Sequence, residues 1–194
     1  MTRDEVLAIF RECNALLDGH FILTSGLHSA VYLQKAHVFM YPHQTEKLCK
    51  ALAEKISDSN LGHIDFIISP AVGGLIPGYE TARHLGVPAM WVEREEGQFA
   101  LRRFDVPKGA RVIVVEDIVS TGLSIRETVQ TMRSLEADVL ACACLVDRSA
   151  GEADTSVPLI ALTDYKVPAF KPDELPADLA AIPAIKPGSR GLNA

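Results

Sequence analysis

The apolar run Val112-Ile113-Val114-Val115 is followed at once by Glu116-Asp117 and then by Ser120-Thr121-Gly122. It restricts the fold of this chain more than any other segment. Four consecutive β-branched residues leave no polar face, so the run reads as a strand covered on both sides, inside a parallel sheet. Two acids stand where that strand should end, small residues follow, and from Ser124 the sequence is helix-compatible. Ligands of open α/β sheets gather outside the carboxyl ends of strands, so this strand–turn–helix junction is the expected binding site.

The chemistry of the junction narrows the guest. A small-residue turn opening a helix, here Ile118, Val119, Ser120, Thr121, Gly122, Leu123 and Ser124, aims main-chain N–H groups and the helix dipole at one point, which suits a phosphate. Glu116 and Asp117 would repel that phosphate. They suit vicinal sugar hydroxyls, or a magnesium ion held through water. The chain has neither GxxxxGK[ST] nor a GxGxxG after a strand, so the common nucleotide motifs do not account for the site.

At 194 residues and 48% apolar composition the chain is expected to form one domain with a substantial core. Its net charge of −6, with acids and bases interspersed, argues against a nucleic-acid partner. No run of 18 apolar residues occurs, and the N-terminus lacks a basic-then-apolar leader, so no membrane association and a cytoplasmic location are expected. Cys13, Cys49, Cys142 and Cys144 have no metal-binding spacing and read as reduced core residues.

The capping box Thr2-x-x-Glu5 opens a helix whose apolar positions run through Val6, Ile9, Phe10, Cys13, Leu16 and Leu17, with Asp18-Gly19 as its stop. Two short strands around Ser25-Gly26 and a helix over about 44–57 follow. Strands and helices then alternate: strand 64–69, helix 73–84, strand 89–92, strand 112–115, helix 123–135, strand 139–146 and strand 158–163. That alternation predicts a mostly parallel, doubly wound sheet flanked by helices. Residues 93–109 break the rhythm with charges and a turn at Glu96-Gly97, and read as a hairpin flap standing off the sheet. Five of the eleven prolines lie from residue 168 onward, so the tail is expected to be irregular. The layout is an N-terminal helix with hood strands over about 1–40, a core over about 44–166 and a tail over 168–194.

The segment VVEDIVSTGLS resembles the ribose-phosphate motif of type I phosphoribosyltransferases, which use phosphoribosyl pyrophosphate (PRPP). GHFILTSGLHSAVYLQKA at 19–36, ISPAVGGLIPGYETARHLGVPAMWVERE at 68–95, LRRF at 101–104 and CLVDRS at 144–149 extend the likeness to the orotate phosphoribosyltransferases. The resemblance implies the type I fold with a hood and a flap, and transfer of ribose 5-phosphate from PRPP to N1 of orotate with magnesium. It also implies a homodimer whose flap reaches the neighbouring site. It assigns Glu116 and Asp117 to the ribose diol and the cationic sugar, residues 118–124 to the 5′-phosphate, and Gly73 and Gly74 to pyrophosphate. Arg148 would meet the orotate carboxylate, with Ser120, Thr24 and Lys35 on the orotate side. Arg94 matches the first basic residue of the flap and is expected to be catalytic, with Arg102 and Arg103 neutralising pyrophosphate. Some relatives carry lysines where Thr24 and Gly73 stand; Lys35 and Arg94 are the candidate substitutes.

Two other readings stay open at the level of sequence. A non-catalytic PRPP-binding regulator would keep residues 116–124 and abandon the flap, whereas Arg94, Arg102 and Arg103 are present. A purine-specific relative would need a pocket for a neutral bicyclic base, whereas Arg148 and the TSGLHS segment favour an acidic pyrimidine.

Overall fold

The computed structural model describes residues 1–23 and 25–187. Helix α1 (Arg3–Glu12) starts on the predicted box: Glu5 N–H donates to Thr2 Oγ1 at 3.4 Å, and Thr2 N–H donates to Glu5 Oε2 at 2.7 Å. It stops earlier than the apolar spacing suggests. Asn14 takes a left-handed conformation (φ 51°) and its N–H closes on the Arg11 carbonyl, which ends the helix. Leu16 and Leu17, expected in the helix, instead begin strand β1 (Leu16–Ile22), which pairs antiparallel with β2 (His28–Leu33). A 3-10 segment, Lys35–Met40, leads into α2 (Pro42–Ser57).

The alternating part follows as β3 (Phe66–Pro70), α3 (Leu75–Leu85), β4 (Ala89–Glu95), β5 (Gln98–Ala100), β6 (Arg111–Val119), α4 (Leu123–Ser134), β7 (Asp138–Asp147) and β8 (Leu159–Asp164). The sheet order is β5-β4-β3-β6-β7-β8, parallel throughout except for the β4–β5 hairpin. The hairpin therefore extends the sheet at its edge rather than standing off it. Phe99 is buried and its carbonyl accepts the Thr131 hydroxyl of α4, which ties the hairpin down. Strand β6 also runs past the expected end at Val115. Its ladder with β7 continues through Glu116↔Cys144 and Ile118↔Val146 to Val119↔Asp147, so the two acids lie within the strand.

Two clusters sandwich this sheet. Ile113, Val115, Ala143 and Leu145 face one core with α1 and α2 (Phe10, Leu48, Leu52); Val112, Val114, Cys142 and Cys144 face the other with α4 (Ile125, Val129, Met132). All four cysteines are free and buried, as their spacing suggested. The tail is sparse in regular structure, as its prolines dictate, yet it is docked. Strand β9 (Ala169–Phe170) joins β2, α5 (Ala177–Ala180) buries Leu179, and Ile185 bridges Phe21. Together β1, β2 and β9 form a three-stranded hood sheet apart from the core sheet.

Helix α3 lies close on β3 because Gly78 has no side chain. A Cβ there would fall 1.7 Å from Ser69 Oγ and 2.9 Å from Ser69 Cβ. This contact fixes the start of α3 and hence the turn joining it to β3. Gly78→Ala should lower stability by about 1–3 kcal/mol through overpacking, and Ser69→Ala in the same chain should return most of that, because Ser69 Oγ is buried without a partner. Thermal melts of the parent and the two variants check this; an undiminished melting temperature in Gly78→Ala would contradict the packing described.

Candidate active site

The acids of β6 are held nearly out of water. Glu116 is 8% exposed and Asp117 1%. Glu116 Oε1 accepts the Asp117 main-chain N–H at 3.0 Å. Asp117 Oδ1 accepts the Ile118 N–H at 2.6 Å and the Lys35 ammonium at 2.7 Å. Asp117 Oδ2 is buried and has no partner. Burial, followed by the neighbouring Asp117 charge, pushes the Glu116 carboxyl up to about 8. Near neutral pH Glu116 thus keeps a proton to donate while Asp117 Oδ2 is an unfilled acceptor, a mixed set suited to hydroxyls that both donate and accept.

The chain then turns through Ser120 and Thr121 to Gly122 (φ 78°) and enters α4. Gly122 is required twice over. Its φ lies in the left-handed region, and a Cβ would sit 2.5 Å from the Asp154 carbonyl oxygen. No side chain caps α4 at Gly122; Leu123 N–H reaches only the Thr121 hydroxyl, at 3.4 Å. The first amides of α4 therefore face the cavity with the positive end of the helix dipole behind them. That cavity, about 240 Å³, is lined by the whole run Ile118–Ile125 together with Glu116 and Lys35.

A second backbone approach comes from the turn after β3. Gly74 is the N-cap of α3, and a Cβ there would meet the Pro70 and Val115 carbonyl oxygens at 2.9 Å. A Cβ on Gly73 would come within 2.6 Å of Asp117 Oδ2 and 3.3 Å of Lys35 Nζ. Bare main chain thus abuts the acid pair where any side chain would fill the space.

At the end of β7, Arg148 is half-buried, and its Nε is shut off from water without a partner. Burial holds its guanidinium below the usual arginine range. A buried N–H of a cation with no acceptor is costly, and an anionic ligand would satisfy it. The loop carrying Arg148 is fixed by Asp147, whose Oδ1 accepts the Ser149 amide and hydroxyl at 2.7 and 2.6 Å and whose Oδ2 accepts the Gly151 amide at 2.9 Å. Sequence reading passed over Asp147, although an Asp two residues before a Ser is the pattern of a side chain closing its own turn.

Glu116, Asp117, Lys35, Gly73 and the 118–124 turn converge. The flap arginines do not join them. Arg94 donates to Glu127 of α4 and to the Gly97 carbonyl, both at 2.6 Å, and lies 4.2 Å over the Phe99 ring. Arg103 donates to Glu93 at 2.6 Å, and Arg102 pairs with Glu95 at 3.5 Å. Nothing in the local sequence marked Glu127 as the partner of Arg94. Thr24 lies outside the described residues. A larger cavity, about 660 Å³, is elsewhere, between α2, α3 and β4, lined by Phe39, Leu75, Ile76, Tyr79, Met90 and Trp91.

A phosphoribosyl transferase domain matches residues 41–167. Over 192 residues, 99% of this chain and 100% of the relative, the sequence is 66% identical to the orotate phosphoribosyltransferase of Brucella ovis. The chain belongs to the orotate phosphoribosyltransferase family. Among solved structures, the orotate phosphoribosyltransferase of Aeropyrum pernix superposes with a TM-score of 0.70 at 28% identity, covering 82% of this chain and 93% of that one. An adenine phosphoribosyltransferase from Saccharomyces cerevisiae superposes at 0.64 with 21% identity, over 80% and 99% of the two chains, which is a likeness of fold alone. The type I fold expected from the sequence is the one observed, with its mostly parallel sheet between helices. Among the described residues, no helix is long and apolar enough to cross a membrane.

The raised Glu116 fixes a pH dependence. Between the ordinary value of 4.5 and about 8, the folded chain keeps a proton that the unfolded chain has lost. Stability must therefore fall as pH rises through that window. Glu116→Gln removes the titration, so it should raise the melting temperature over the parent by about 5 °C at pH 8.5 and by no more than about 1 °C at pH 5. A difference between the two proteins that does not change with pH would contradict the burial argument.

Proposed function

We propose that this chain transfers the 5-phosphoribosyl group of PRPP to N1 of orotate, releasing pyrophosphate and forming orotidine 5′-monophosphate in pyrimidine biosynthesis. The observation that carries the reading is one cavity lined by the uncapped helix turn 118–124 and by Glu116, with Asp117 buried next to Glu116. A phosphorylated sugar matches the turn and the acids at once. The turn 120–124 takes the 5′-phosphate, and Glu116 and Asp117 take the ribose hydroxyls. As the C1–O bond breaks, positive charge grows on the sugar and the Asp117 carboxylate, already desolvated, lies beside it. Gly73 and Gly74 let main chain approach the departing pyrophosphate. Arg148, with its unsatisfied buried N–H, orients the orotate carboxylate so that N1 faces C1, and Ser120 adds a hydroxyl on that side.

The donor set fits magnesium: Asp117 Oδ2 is a buried carboxylate oxygen without a partner, and a water of the hydrated ion would be held there. When bound, the ion neutralises charge building on the leaving group. We also assign the chain to a cytoplasmic homodimer. Met40, Tyr41, Val72, Ile76 and Tyr79 are all exposed, Ile76 and Tyr79 line the 660 Å³ groove, and exposed apolar surface beside such a groove marks an interface. Four free buried thiols accord with a reducing compartment. The flap's contribution to the neighbouring site would come from Arg102 and Arg103, whose pairs with Glu95 and Glu93 are exposed and cheap to exchange. Arg94, engaged three ways at home, holds the hairpin in place.

Mixing the protein with orotate, PRPP and magnesium should consume orotate's ultraviolet absorbance with release of pyrophosphate. Arg148→Ala should raise KM for orotate by about 10–100-fold and change KM for PRPP by less than about threefold. Turnover of adenine or another purine with orotate untouched would overturn the base assignment, and no turnover of any base would overturn the enzyme reading.

A further inference from the structure

Lys35 is the one cationic side chain among the residues lining the 240 Å³ cavity, and its main chain belongs to the segment leaving the hood rather than to the core sheet. Its ammonium is bonded to Asp117 Oδ1, which already accepts the Ile118 N–H, while Oδ2 of the same carboxylate is buried with no donor. The cation is thus placed on the oxygen that needs it less. The lysine side chain is 44% exposed against 1% for its partner, so its outer part faces the open cavity while its head touches the buried acid. The ammonium also lies 3.3 Å from where a Cβ on Gly73 would stand, so it faces the bare turn after β3. Arg94, Arg102 and Arg103 do not line this cavity; within the chain they pair with Glu127, Glu95 and Glu93.

Resting on the phosphoribosyl-transfer reading above, we propose that Lys35 exchanges partners during the reaction. In the empty site it is the counter-ion of Asp117. When PRPP enters, a ribose hydroxyl donates to Asp117 and the ammonium passes to the pyrophosphate oxygens, beside Gly73. The reaction's leaving group is then bound by a cation delivered from the hood, and donor binding draws the hood toward the core. No bond to Lys35 is made or broken in this exchange. The ammonium keeps its three protons throughout and trades one charge-assisted hydrogen bond for others. Lys35 would so be a catalytic residue, in contact with the leaving group.

The test compares the full-length protein with Lys35→Met, Lys35→Gln and Lys35→Arg, titrating inorganic pyrophosphate and ribose 5-phosphate separately by calorimetry with magnesium present. The neutral variants should bind pyrophosphate at least about tenfold more weakly while ribose 5-phosphate affinity stays within about threefold, and Lys35→Arg should keep most of the pyrophosphate affinity. In turnover, KM for PRPP should rise in the neutral variants with KM for orotate unchanged. Unaltered pyrophosphate binding in Lys35→Met and Lys35→Gln would overturn the proposal. So would an equal loss of both ligands, which would mean that Lys35 only props Asp117. Orotate consumption by the unmodified protein is read in parallel. Failure of the transfer reading shows there, whereas failure of this inference shows only in the comparison of variants.

Discussion

Two acidic side chains shut away from water on neighbouring residues of a central strand carry a large desolvation cost, and the surrounding structure is arranged around meeting it. Glu116 meets it by keeping its proton. Asp117 meets it with the Ile118 amide and the Lys35 ammonium on one oxygen, and leaves the other unfilled. Gly73 supplies the space in front of that oxygen, and Gly78, by letting α3 settle on β3, fixes where Gly73 lies. An acceptor left bare in so dry a place is a poor choice for stability and a good one for recognising a hydroxyl.

Much of this was legible in the sequence because the local pattern and the global fold agree. Val112–Val115 has one reasonable role, and a small-residue turn leading into a helix has one reasonable geometry, so the sheet, the crossover to α4 and the site at their junction all follow. The misplaced end of α1 shows the limit. Cys13, Leu16 and Leu17 keep helical spacing, but Asn14 adopts a left-handed conformation and the apolar residues after it turn into a strand. Periodicity does not distinguish the face of a helix from the start of a hood strand a few residues long. Likewise, the charges of the hairpin suggested separation from the sheet, whereas Phe99 and the pair between Arg94 and Glu127 anchor it against α4. Long-range partners of this sort have no local trace.

The candidate site residues divide along the same line. Acids, turn and glycines stand close together in the sequence or at repeated strand ends, and could be found from pattern. Lys35 and Asp117 are 82 positions apart, and only the fold brings hood and core together. Base recognition is also invisible in the architecture, since the same sheet superposes on adenine and orotate enzymes. In the proposed reaction it rests instead on a guanidinium at the end of β7, held with an unsatisfied N–H by a loop that Asp147 ties down.

The central claim is that one corner of the sheet holds both ends of a phosphorylated ribose, main chain at one end and carboxyl groups at the other. A crystal soaked with ribose 5-phosphate tests it directly. The account predicts the phosphate oxygens on the amides of residues 120–124 and the sugar hydroxyls on Glu116 and Asp117, one of them donating to Asp117 Oδ2. Density for the sugar elsewhere, or a turn left without phosphate at saturating concentration, would contradict it.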